Sequence, residues 1–206
     1  MLKYRTLKIF AFGFLIFVTL ACSCNLSSLQ DRIAEEIVGD MFSDLVDGET
    51  GPVNSETAGL AFDTPDGMEA ILSAGDAMIS AKDYQFGDPF ISIMQLTLMD
   101  GKDYAYWLNN QRNDLVTSKQ AAISLEESIR ISDLEGVRMN FSLLDSNIED
   151  PSETREMNGT RIVVNRSAEQ ITLIDGWWPA DEDADFRPQF EEWLASLRIF
   201  EAAAPD

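Results

Sequence analysis

FISIMQLTLM, residues 90–99, decides the fold. Ten residues pass without a charge, a glycine or a proline, and the run is rich in Ile, Met, Leu and Phe. Such a stretch reads as a β-strand. Side chains along a strand alternate between two faces. Ile91, Ile93, Gln95, Thr97 and Met99 therefore share one face, and Phe90, Ser92, Met94, Leu96 and Leu98 the other. Both faces are largely apolar, so this strand is expected at the centre of a sheet that is covered on both sides.

The flanking segments supply its neighbours. GLAFDTPDGMEAIL, residues 59–72, reads as two short strands around a turn at Pro65–Asp66–Gly67, and Ala77–Ile79 as another short strand. Residues 103–118 place Tyr104, Trp107, Leu108, Gln111 and Leu115 on one helical face. Strands are expected at Ala121–Ile131 and Val137–Leu144, around a turn at Asp133–Gly136. The polar stretch 145–159 reads as a long loop. Arg161–Asn165 and Gln170–Asp175 then form a hairpin across Arg166–Glu169. A closing helix is expected over 184–200, with Phe186, Phe190, Trp193, Leu194 and Leu197 facing inward. Strands in sequence with few helices give an α+β fold: a mainly antiparallel sheet with helices packed on it, spanning 59–200, with 201–206 as a tail.

The N-terminal part carries an address. Lys3, Arg5 and Lys8 precede the apolar run Ile9–Ala21, and Cys22 follows. A positive start, a short apolar core and a small residue before the cut describe an export signal. Thirteen residues fall short of the roughly 20 that cross a bilayer. The stretch resembles a bacterial lipoprotein signal over residues 1–21, with Cys22 as the residue to be lipidated and Cys24 as the alternative. Leu20 and Thr19 depart from the usual order of that motif. A secreted protein without lipid and an uncleaved single span are the other readings. Residues 22–30 read as a tether, 29–46 as an amphipathic helix with Leu29, Ile33, Ile37, Met41 and Leu45 on one face, and 47–58 as a linker.

Charge narrows the partners. Residues 22–206 hold 12 Lys and Arg against 36 Asp and Glu, a net charge of −24. That surface repels phosphate backbones, so no nucleic acid is expected as a partner. The chain contains no histidine. The commonest general base, zinc ligand and triad member is thus missing. No cofactor is expected, and an enzyme would have to rely on paired carboxylates or a Ser–Lys pair.

Two segments offer candidate sites. Trp177 and Trp178, in GWWPA (176–180), are candidate ligand contacts, because large aromatic side chains dominate binding surfaces. Adjacent strand residues face opposite ways, so one of the two is expected to stay exposed. Asp181, Asp183 and Asp185 are weak candidates for a metal. With Glu192 they match positions 1, 3, 5 and 12 of a calcium loop. Phe186 occupies the position that needs glycine, and an acidic helix start explains the same residues.

Residues 59–200 also resemble the PsbP-like and DcrB-like group. GLAFDTPDGMEAI resembles its opening strand pair, with Met68 where a Trp is usual. GTRIVVNRSAEQITLIDGWWPA (159–180) resembles its late hairpin, and DFRPQFEEWLASLRIF (185–200) its closing helix. The resemblance implies an antiparallel sheet with packed helices, and binding or assembly in place of catalysis. Together these readings describe a lipid-anchored module on the extracytoplasmic side of a cell membrane. Its expected partners are the membrane, through the lipid, and an envelope protein, with oligomeric state open. The alternatives are a structural acidic envelope protein and a carboxylate-based surface hydrolase.

Overall fold

The computed structural model describes residues 48–56, 58–73, 76–98, 101–147 and 152–201. The signal, the tether and the helix expected over 29–46 lie outside the described residues. In chain order the elements are β1 (Pro52–Ser55), β2 (Leu60–Asp63), β3 (Glu69–Ser73), β4 (Asp76–Ser80) and β5 (Phe90–Thr97). Helix α1 (Tyr104–Asn113) follows and runs into a π-helical turn, Asp114–Ser118. Then come β6 (Ala122–Ile131), β7 (Leu134–Ser146), β8 (Thr154–Asn165) and β9 (Gln170–Pro179). A 3₁₀ turn (Ala180–Glu182), helix α2 (Asp183–Ser196) and β10 (Arg198–Ile199) close the chain.

Among the described residues, seven strands form one antiparallel sheet in the order β3-β4-β5-β9-β8-β7-β6, and β1-β2-β10 form a second, small one. The fold is α+β with a dominant sheet, as the sequence implies. β5 lies inside the sheet, paired with β4 and β9. Its two apolar faces meet two separate cores. Ile91, Ile93, Ile162, Ile174 and Trp178 pack beneath Phe186, Phe190, Trp193 and Leu194 of α2, together with Leu60 and Phe62 of β2. On the opposite face Met139, Phe141, Val163, Leu173 and Trp177 pack beneath Leu115 and the half-buried Tyr104, Trp107 and Leu108 of the α1 region. Burial of this area on both sides is the main stabilising term, because each fully buried large apolar side chain contributes about 1.5–3 kcal/mol.

Three expectations are corrected and one, the strand pair around Pro65–Gly67, is refined. The segment read as a linker contains β1, with Val53 buried against the core. The two strands around Pro65–Gly67 exist, but β2 and β3 enter different sheets. The polar stretch 145–159 is mostly strand: β7 runs to Ser146 and β8 starts at Thr154. Its polar side chains reach the start of α2. Arg155 donates to Asp181 and Glu182, and Asn158 to Asp183. The closing helix stops at Ser196. Leu197 adopts extended backbone, and Ile199 pairs with Leu60. Leu197 is buried all the same, so apolar periodicity alone does not separate the two conformations.

Candidate functional site

The aromatic pair at 177–178 does not form a contact surface. Both rings are buried, at 7% and 0% exposure, because helices cover both faces of β9. The expectation that one would remain exposed is overturned. Trp177 stacks on Phe90 with ring centroids 6.0 Å apart, and Phe141 meets its edge at 5.1 Å. Lys119 lies over the same ring at 5.1 Å. Trp178 packs against Phe186 and Phe190, and its Nε1 donates to Asp183 at 2.7 Å.

The three aspartates diverge. Asp183 accepts from Trp178, Asn158 and Arg187. The hydrogen bond from Arg187 holds its carboxyl below the usual carboxylate range, assisted by Trp178 and Asn158 against the opposing effect of burial. Asp181 pairs with Arg155. Among the described residues no group of three Asp, Glu, Cys or His side chains converges on one point.

The site that the fold does build lies along α1 and the outer strands. Asp103 starts α1, its side chain accepting from the Tyr106 N–H at 2.8 Å. None of α1's own residues is fully buried, so polar ties supplement the half-buried Tyr104, Trp107 and Leu108 in fixing it to the sheet. At its first turn the Tyr104 hydroxyl donates to the Val163 carbonyl at 2.8 Å. Burial raises the phenol above its ordinary range. At its end Arg161 reaches up from β8 and donates to Gln111 and Asp114 at 3.0 and 2.8 Å. The same guanidinium grips Asp175 with two hydrogen bonds of 2.8 and 2.7 Å. Burial alone would lower the pKa of Arg161. Asp175 and then Asp114 outweigh it and hold the group charged, above its ordinary value. On the outer side Arg112 donates to both carboxylate oxygens of Glu126 on β6, the Nε contact measuring 2.9 Å. That bond keeps Glu126 ionised below the usual range.

Beside the first turn of α1, a groove of about 460 Å³ opens toward the β6–β7 hairpin. Tyr104 and Val137 give it apolar surface, and Ser128, Arg130, Glu135 and Asn165 give it polar groups. The hairpin tip is fixed from behind: Ser132 holds a left-handed backbone (φ 55°), and its Oγ accepts from the Ile199 N–H at 3.1 Å.

Asp114 and Asp175 are brought together, but one guanidinium lies between them and engages both oxygens of Asp175 and Oδ2 of Asp114. Sequence reasoning missed Arg161, Asp175 and the groove. The available signal was a pair of opposite charges, Arg161 and Asp175, each bordering a largely apolar run, 162–164 and 171–174. Among the described residues no helix is long and apolar enough to cross a membrane.

No protein-family model and no curated protein matches the chain by sequence. Solved structures do match. LpqN, which is involved in cell envelope biogenesis of Mycobacterium tuberculosis, has a TM-score of 0.54 over 79% of this chain and 96% of its own, at 13% identity. CyanoP, the cyanobacterial PsbP of Synechocystis sp. PCC 6803, has a TM-score of 0.50 over 76% of this chain and 96% of its own, also at 13% identity. A protein of Bacteroides thetaiotaomicron VPI-5482 is similar at a TM-score of 0.46 and 10% identity, and the chain spans 48% of its length. At these identities the likeness is one of fold. The domain is a PsbP-like α+β fold, in agreement with the resemblance noted in its sequence.

Proposed function

We propose that this chain is a lipid-anchored, extracytoplasmic module that binds a protein partner at the membrane surface and catalyses no reaction. One observation carries the reading: a short apolar run ending at Ala21–Cys22 precedes a domain with the fold of LpqN, a protein involved in envelope biogenesis. Two further observations support it. The chain has no histidine, and its convergent acids Asp114 and Asp175 are both paired with Arg161. The groove and outer strand beside α1 present mixed apolar and polar groups, as contact surfaces do. Cys22 is the anchor, placing the domain on the outer side of the cell membrane.

The test uses the full chain expressed in a bacterial host, with a photoreactive side chain at Ser128 or, separately, at Gln189 on α2. A binding module gives a discrete protein adduct from at least one of these positions in the membrane fraction. With Cys22→Ala the chain leaves that fraction. Absence of any adduct contradicts the binding role, and unchanged membrane association of the variant contradicts the anchor.

A further inference from the structure

We infer that the outer edge of β6 docks an extended, basic segment of a partner protein. The inference rests on the binding role proposed above and assigns it a surface and a chemistry. Among the described residues β6 is the last strand of the large sheet and pairs only with β7. A register shift interrupts that ladder between Ile123 and Leu125. From Leu125 to Ile131 it then runs unbroken to the hairpin turn. That stretch is a regular row of N–H and C=O groups, the template that a partner strand extends.

The side chains along this edge choose the partner. Leu125 is 42% exposed, and Glu126, Glu127, Ser128 and Arg130 are exposed beside it. Asp133 and Glu135 add charge at the turn, the Glu135 side chain being 82% exposed. Positive charge there is scarce. Arg112 is committed to Glu126, and Arg130 pairs loosely with Glu135 at 3.7 Å. Arg138, Arg155, Arg161 and Arg187 are each drawn into ion pairs elsewhere. The edge is therefore net negative and complements a basic strand.

The groove adds a second feature. Ser128 is small, so a long side chain from an added strand passes over it toward Tyr104 and Glu135. A lysine or arginine there meets the Tyr104 ring and competes with the loosely held, exposed Arg130 for the Glu135 carboxylate. A second copy of this chain fits poorly. Pairing β6 with itself brings the Glu126 and Glu127 carboxylates of two copies together, and like charges on neighbouring strands repel.

Titration of the ¹⁵N-labelled full chain in detergent micelles with a peptide of alternating lysine and valine, and with its glutamate–valine counterpart, decides the matter. The lysine peptide is expected to shift the amide resonances of Leu125–Ile131. Its affinity should fall about tenfold or more between about 0.05 M and about 0.5 M salt. It should fall by a similar factor in Glu127→Lys/Glu135→Lys, a surface variant whose remaining sheet resonances report an intact fold. The glutamate peptide should leave the strand unchanged. Shifts located elsewhere, equal binding of both peptides, indifference to the double variant, or no binding would each overturn the inference. So would a dimer joined through β6 in sedimentation. None of these removes the adduct test of the binding role, so the two claims fail separately.

Discussion

Arg161 and Asp175 stand opposite each other on β8 and β9, and their buried side chains meet in two hydrogen bonds of 2.8 and 2.7 Å. Asp114, arriving from the turn that ends α1, completes the cluster. One guanidinium thus ties a helix to two strands below the surface. Removing the cation alone leaves Asp175 buried without a counter-charge, which costs about 3–5 kcal/mol. Arg161→Met is expected to destabilise the domain by that amount in urea unfolding. Arg161→Met/Asp175→Leu/Asp114→Asn should recover most of it, because the uncompensated charges leave with their partner. A single variant within about 1 kcal/mol of the parent would show that water reaches the cluster.

A second constraint couples α2 to the sheet through an absent side chain. A Cβ at Gly176 would lie 2.3 Å from Cε2 of Phe190, whose ring is fully buried. Gly176→Ala should therefore destabilise by about 1–3 kcal/mol through overpacking. Phe190→Leu in the same chain should relieve part of that penalty. Thermal unfolding of the two single variants and the double variant gives the coupling. Strict additivity would mean that the helix moves aside freely.

Asp183 makes stability depend on pH. Its ordinary pKa is 3.8, and in the fold Arg187, Trp178 and Asn158 lower it. The native state therefore binds fewer protons at this group than the unfolded chain does. The resulting stabilisation is fully present above the ordinary pKa and is lost as pH falls below about 4 through the folded value. Asp183→Asn should cost roughly 1–2 kcal/mol at neutral pH, the worth of a charged hydrogen bond. It should also flatten the acid limb of a stability–pH curve. An unchanged acid limb would assign that slope to other carboxyls.

Much of the fold was legible, and residues 90–99 show why. A strand apolar on both faces has to be covered on both, and β5 is. The helix over 103–118 was legible from the stripe Tyr104, Trp107, Leu108, Gln111 and Leu115, which all turn to the sheet. The Arg161–Asp175 pair was not legible, because it depends on register. The expected hairpin pairs Asn165 with Gln170. In the fold Asn165 pairs with Ile171, and Gln170 accepts from both Arg166 and Ser167 at the turn. A slip of one residue changes which side chains meet, and only the folded turn fixes it. Trp177 and Trp178 were misjudged for a related reason. Alternation says that they face opposite ways, which they do, but it does not say that α1 covers the second face.

The claim on which location and partner both depend is the anchor at Cys22. The most direct test is the intact mass of the protein recovered from a bacterial host expressing the full gene. The expected mass is that of residues 22–206 plus an acyl-glyceryl group, with the added mass lost in Cys22→Ala. An unmodified chain starting near residue 22, or an uncut chain of 206 residues, would contradict it.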